Sequence, residues 1–287
     1  MAISRRNLLR AGTAATLVAA AHELVSMQAL AQPGPANNSS ADVLYYREDW
    51  FGEPWRKPET AVLIHGNDES SIVWYGWVPR MAQEFRVIRP DLPGFGQSKI
   101  PPGIEWSLPN LAKLVAQTLD KAGVEQAHII GAKTGGAIAM QFAADFPSRT
   151  RTLSVASGPA SVIAVANPSN VPQLDRLGSA ASKEMVEYWN NMFATAPKEA
   201  TKGLNTALSK FDLARDGVLQ RIKAPTLVIT ADRSKLQSVE KVRAYQLAIP
   251  NSRLVVLNSD AYHIAAANAD ECVTKILAFI REARGKA

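Results

Sequence analysis

Hydrophobic positions follow two alternating patterns along this chain. Short apolar runs closed by turn signals occur at 61–64 (AVLI, ending at His65-Gly66), 85–89 (FRVIR, ending at Pro90-Asp91-Leu92-Pro93-Gly94), 127–130, 152–156, 225–230 and 253–257. Such runs predict strands buried on both faces. Stretches of helical period lie between them. In 107–122 the apolar residues Leu111, Leu114, Val115 and Leu119 recur at helical spacing, with Ser107 placed to cap the start and Gly123 to stop the end. Similar stretches occupy 137–146, 239–248 and 269–284. The alternation predicts an α/β fold, with a mostly parallel central sheet and helices on both faces.

Segment 161–212 breaks this rhythm. It predicts a helical cap inserted into a core made of 43–160 and 213–287. Met185, Tyr188, Trp189, Met192 and Phe193 cluster within it. Their spacing fits side chains that line a pocket equally with side chains that hold the cap onto the core.

The first 31 residues read as an export signal. Arg5-Arg6 precede an apolar stretch, Gly12 to Ala21 is small and apolar, and Ala29-Leu30-Ala31 offers a small-x-small cleavage site. The paired arginines resemble a twin-arginine signal, which would place the protein in a bacterial periplasm. Residues 32–42, beginning QPGPANNSS, read as a flexible leader. No later run approaches the length of a membrane span, so no stable membrane insertion is expected after signal removal.

Composition narrows the class further. Hydrophobic residues at 47% and charged residues at 20% describe a globular chain, and 287 residues suffice for a sizeable core. Of the net charge of +6, three Arg and one Glu belong to the signal, leaving +4. With no basic cluster interleaved with aromatics, nucleic acid is not an expected partner. Cys272 is the only cysteine and sits in an apolar helical pattern as a core residue. The four histidines stand apart, without Cys or carboxylate at ligand spacing, so no metal is expected. Gly94-Phe95-Gly96 follows a strand but lacks the third glycine of a dinucleotide site, so no cofactor is expected. Oligomeric state is not readable.

The candidate chemistry centres on HIIGAKTGGAIA, residues 128–139. Gly131, Gly135 and Gly136 stand where the glycines of a strand–turn–helix nucleophile elbow, G-x-S-x-G, would stand, but the central position is Lys133. Other motifs fall around it in order. His65-Gly66-Asn67 follows a strand, Asp91 to Ser98 reads D-x-x-G-x-G-x-S, Pro225-Thr226-Leu227-Val228-Ile229 forms a late strand, and His263 follows the last one. Taken together these resemble the α/β-hydrolase fold family, over roughly 43–280, with the enol-lactonase and C–C-bond-hydrolase branches nearest in character.

The resemblance implies roles. The backbone N–H groups of Asn67 and Thr134 would form the oxyanion hole, and His263 would be the acid and base. The acid slot falls on Ser234, with Asp232 two residues earlier as the alternative if the loop is shifted. His65 would support the oxyanion loop, and His128 is read as structural.

A lysine at the elbow changes the chemistry. Attack on an ester would leave an amide, nearly a dead end. A neutral lysine can instead form a Schiff base with a ketone or aldehyde. Burial and the positive end of a helix both lower its proton affinity, whereas Asp68 or Glu69 close by would keep it charged. Three readings stay open. In the first, an exported enzyme acts on a small carbonyl compound, by C–C cleavage or hydrolysis, through Lys133 with His263 moving protons and Ser234 orienting it. In the second, His263 activates water and Lys133 anchors the substrate. In the third, the chain is a ligand-binding pseudo-hydrolase.

Overall fold

Seven strands form a single sheet in the order β1-β3-β2-β4-β5-β6-β7. They are β1 Tyr46–Asp49, β2 Thr60–Ile64, β3 Arg86–Pro90, β4 Ala127–Ala132, β5 Thr150–Ala156, β6 Thr226–Ala231 and β7 Ser252–Leu257. β1 pairs antiparallel with β3, and the other pairings are parallel. This is a computed structural model, and it describes residues 44–162 and 171–285. The expected export signal (1–31), the leader (32–42) and part of the cap (163–170) lie outside the described residues.

Successive strand residues point to opposite faces, and both faces are buried in β2 to β6; the run 253–257 was expected to be buried as well, but β7 is an edge strand and buries only Leu257. Val62, Ile64, Ile88, Ile129 and Val228 join one apolar cluster, while Ala61, Leu63, Val87, Ile130, Leu227 and Ile229 join the other. The helices are α1 Val78–Met81, α2 Leu108–Lys121, α3 Thr134–Asp145, α4 Gln173–Leu177, α5 Lys183–Ala194, α6 Lys198–Ala207, α7 Val218–Arg221, α8 Val239–Leu247, α9 Ile264–Ala267 and α10 Ala269–Arg284. α2, α3 and α8 pack on the first face, and α1 and α10 on the second.

Four helices therefore lie close to their expected positions. Ser107 caps α2, accepting from Asn110 N–H at 3.4 Å, and Gly123 beyond its end adopts φ 67°. α3 starts earlier than its apolar pattern, directly after Lys133, because Gly135 and Gly136 are helical. β1 had no counterpart in the apolar pattern. Its sequence, YRED, is half-exposed on an edge, where backbone pairing with β3 suffices.

Within 161–212, α4, α5 and α6 form the cap. Its ends meet: Ser161 bridges Asp212, and Leu213 N–H donates to Ala160 O at 2.8 Å. Trp189 is buried, Tyr188 is exposed, and Met185, Met192 and Phe193 pack partly against the second cluster. Among the described residues no helix is long and apolar enough to cross a membrane.

Every parallel strand ends at the same edge of the sheet, where α/β sheets hold their sites. The segments after β2, β4, β6 and β7 bring Asn67 to Glu69, Lys133, Ser234 and His263 to that edge.

Candidate active site

The elbow is built as its glycines suggest. β4 runs into Lys133 at φ 52°, ψ −125°, and α3 begins at the next residue. This backbone region is sparsely populated for a side-chain-bearing residue and costs about 1–3 kcal/mol. It is sustained by close backbone packing. A Cβ on Gly131 would lie 2.2 Å from Gly135 O. Lys133 N–H donates to Ala156 O at 3.1 Å, which ties the turn to β5.

The lysine raised by this turn is buried, and it does not stand free. Lys133 Nζ donates to Glu69 Oε1 at 2.6 Å, with the two side chains 8% and 5% exposed. Glu69 Oε2 accepts from Gly66 N–H at 2.9 Å, and Trp189 Nε1–H reaches Oε1 at 3.4 Å. Three donors converge on this one carboxyl group, and the Lys133–Glu69 contact is a buried salt bridge. Burial pulls the proton affinity of Lys133 below that of an ordinary lysine, and the Glu69 charge and hydrogen bond oppose this. Asp68, at φ 59°, turns away and accepts from Thr201 Oγ1 on α6 at 2.5 Å.

His263 follows β7 and directly precedes α9. It is buried, and neither ring nitrogen has a hydrogen-bond partner. Burial, with Lys133 and Arg176 nearby, holds its proton affinity well below that of an ordinary imidazole. The ring is therefore neutral. Lys133 and His263 line one cavity of about 20 Å³, together with Glu69, Trp74, Trp189 and Tyr262. That is room for about one water molecule.

Ser234 does not orient His263. Its hydroxyl accepts from Leu236 N–H at 3.3 Å, within its own turn, and among the described residues the imidazole has no hydrogen-bond partner. The shifted assignment fares no better, since Asp232 accepts from Ser259 N–H at 2.9 Å and from Arg233 at 2.8 Å. Both residues satisfy loop backbone beside β6 rather than reach across to the ring.

The loop after β2 is clamped to the cap by Asp68–Thr201, by Glu69–Trp189 and by Asn67 Nδ2–H donating to Asn205 Oδ1 at 2.9 Å. Thr134 N–H, first in its helix, has no acceptor within α3. Neither it nor Asn67 N–H donates to a protein acceptor among the described residues. His65 Nε2 accepts from Leu92 N–H at 2.9 Å while Nδ1 lies 2.7 Å from Gly66 O, so Nδ1 carries the proton and the ring joins two loops. Asp91 closes its own turn, accepting from Ser71 N–H at 2.6 Å and Gln97 N–H at 2.9 Å. His128 is buried against Thr152, at 2.9 Å, on the strand far from this edge.

Arg176, on α4, was not singled out by sequence. It is 6% exposed, and its guanidinium lies 5.4 Å from the centroid of the Phe193 ring. An isolated Arg in a helical insertion carries no local mark that separates it from a surface residue.

An alpha/beta hydrolase fold profile matches residues 61–181, less than half of the chain. The chain is 44% identical over 99 residues to a pimeloyl-[acyl-carrier protein] methyl ester esterase of Aeromonas hydrophila, covering 34% of this chain and 37% of that protein. It is 34% identical over 95 residues to a 2-hydroxy-6-oxo-2,4-heptadienoate hydrolase of Pseudomonas putida, covering 32% and 34%. The chain thus spans little more than a third of these relatives. The enol-lactonase from Burkholderia xenovorans superposes with a TM-score of 0.73 at 23% identity, over 83% of this chain and 96% of that one. Sheet order, elbow and structural likeness agree, and the chain has the α/β-hydrolase fold.

Proposed function

We propose that this chain is an exported enzyme acting on a small carbonyl compound, by hydrolysis or C–C bond cleavage. His263 moves the protons, and Lys133 is the cation that meets developing negative charge. The observation that carries this reading is the buried imidazole with both nitrogens unpartnered, facing the same cavity as Lys133. Leaving such a group unsatisfied costs stability, which a reacting partner would offset. Relatives named as a methyl ester esterase, a heptadienoate hydrolase and an enol-lactonase support the reaction class.

The ion pair argues against Lys133 as a covalent nucleophile. A Schiff base needs a neutral, unengaged amine, and Nζ is held at 2.6 Å by Glu69, whose charge and hydrogen bond oppose loss of its proton. In the route the geometry favours, neutral His263 takes a proton from water as the water oxygen bonds to the carbonyl carbon. The carbonyl electrons move onto oxygen, and the oxyanion faces the Lys133 ammonium and the free N–H groups of Asn67 and Thr134. The imidazolium then returns its proton to the leaving group as the C–O or C–C bond breaks.

His263→Ala should lower kcat/KM by about 10²–10⁴-fold on ester, lactone and β-keto acid substrates. The pH profile carries a sign. With the folded proton affinity depressed, the active neutral ring persists below pH 6.5, so the acid limb of kcat/KM should lie below that value. A limb at or above it, or turnover that survives His263→Ala, would sink the proposal. A ligand-binding role without turnover is the second reading, favoured because no carboxylate among the described residues is hydrogen-bonded to His263. Ligand-induced stabilisation with no turnover across the same substrates would select it.

Export rests on Arg5-Arg6 and the apolar run after them. Residues 1–31 fused to a reporter that works only when exported folded should deliver it, and replacing both arginines by lysine should block delivery. A reporter retained inside the cell by the intact segment would refute export.

A further inference from the structure

The most exposed aromatic side chains lie away from the site. Trp55, at 78%, is the most exposed large apolar residue among those described, and Phe51 is 59% exposed. Both belong to the loop 50–59, WFGEPWRKPE, which joins β1 to β2. Asp49 pairs with Val87 and Thr60 with Arg86, so the loop stands at the edge where the parallel strands begin. Lys133 and His263 occupy the opposite edge.

The loop is held in shape. Phe51 N–H donates to Ala82 O at 2.7 Å, and Arg56 N–H to Glu53 O at 3.0 Å. The half-buried Trp50 ring covers Gly52, where a Cβ would lie 2.1 Å from it, and Pro54 and Pro58 restrict the backbone further. A surface ordered in advance loses less entropy on binding.

The charge around the two rings is positive. Arg56 pairs with Glu53, and Glu59 is shared by Arg151, at 3.1 Å, and Arg284. His128, which also faces Glu59, is neutral, its proton affinity lowered by burial to a pKa of about 4. Lys57 forms no ion pair among the described residues. Four cations thus meet two carboxylates, a net of +2. Glu48 and Glu84, on the flanking segments, are each matched by one arginine.

Area and composition favour lipid over protein as the occupant. Two aromatic side chains cover at most roughly 500 Å², short of the about 800 Å² per partner of a stable protein interface. Lysine is depleted from protein interfaces. Trp at headgroup depth with a cation beside it is the chemistry of a membrane surface.

We propose that the loop 50–59 is an interfacial anchor, in which Trp55 and Phe51 enter the headgroup region of an anionic phospholipid bilayer and Lys57 meets its surface charge. The contact is a reversible adsorption of two side chains and needs no spanning segment. It turns the edge that carries Lys133 and His263 away from the bilayer, and it holds whatever reaction that edge performs.

Tryptophan fluorescence of the full chain tests this, with vesicles of phosphatidylglycerol and phosphatidylcholine brominated in their acyl chains. Residues 1–31 contain no Trp, so the expected signal cannot itself produce the response. Quenching should appear at about ten-fold lower lipid concentration than with phosphatidylcholine alone, and added salt should weaken it. Trp55→Phe, which keeps an apolar ring, should lose most of the quenching. Lys57→Glu should raise the lipid concentration required by about ten-fold. Both residues are exposed, and thermal midpoints should match the parent. No quenching by either vesicle, equal quenching in Trp55→Phe, or equal response to the two vesicles would each overturn the proposal. A dimer in sedimentation equilibrium that dissociates on Trp55→Ser, without quenching by lipid, would assign the loop to a second copy of the chain instead.

Discussion

Glu69→Ala should destabilise the protein by about 3–5 kcal/mol, the cost of removing one partner from a buried ion pair. The side chain is the acceptor for three donors: Lys133 Nζ at 2.6 Å, Gly66 N–H at 2.9 Å and Trp189 Nε1–H at 3.4 Å. Its removal leaves an ammonium and two N–H groups in a site nearly closed to water. Solvent screening, which makes surface pairs worth little, does not apply at this depth. Lys133→Met combined with Glu69→Gln should recover most of the loss, because no charge then remains unpaired and the amide oxygen can still accept from Gly66. Urea melts of Glu69→Ala and of the Lys133→Met, Glu69→Gln protein would measure this. A Glu69→Ala loss below about 1 kcal/mol would show that the pair is solvated and that Lys133 is not held as described.

The same carboxyl group ties three segments together: Glu69 joins the loop after β2, the elbow and, through Trp189, the cap.

Gly135→Ala should be the most damaging single change in the elbow, with a loss above about 4 kcal/mol and little soluble protein. A methyl group there would lie 2.1 Å from Ile64 O and 2.4 Å from His65 O. Both atoms belong to backbone, and β2 is hydrogen-bonded along its length to β4 at Thr60↔Ala127 through Ile64↔Gly131. Neither can retreat without breaking the centre of the sheet. Gly285→Ala is the control. Its nearest neighbours would be 3.7 and 3.8 Å away, and its effect should stay within about 0.5 kcal/mol. Soluble yield and thermal midpoints compare the two, and a Gly135→Ala protein with an unchanged midpoint would refute the packing of α3 against β2.

The sequence by itself determined the frame of this protein. Strands β2 to β6 are apolar runs because a parallel sheet covered on both faces buries nearly every residue, whereas β7, at the far edge, buries only Leu257 although its sequence reads as the same kind of run. The α10 pattern survives because one side of that helix meets the core at Val273, Ile276, Leu277 and Ile280. The elbow was legible at Gly131, Gly135 and Gly136, since backbone contacts exclude a Cβ whatever residue stands between them. β1 escaped notice because an edge strand is held by backbone hydrogen bonds that leave no apolar signature.

Tertiary structure alone decided the state of the site. Asp68 and Glu69 are neighbours of the same chemical type, and nothing local says which of them meets Lys133. The left-handed turn at Asp68 sends the two side chains apart, one to Thr201 and the other beneath the cap to Lys133. The isolation of His263 from Ser234 and Asp232 likewise depends on where two loops on separate strands come to rest. The place of Arg176 beside them depends on a backbone contact spanning α4 and the loop after β7. Periodicity records burial within one element, whereas charge pairing is set by distances between elements that only the packed chain defines.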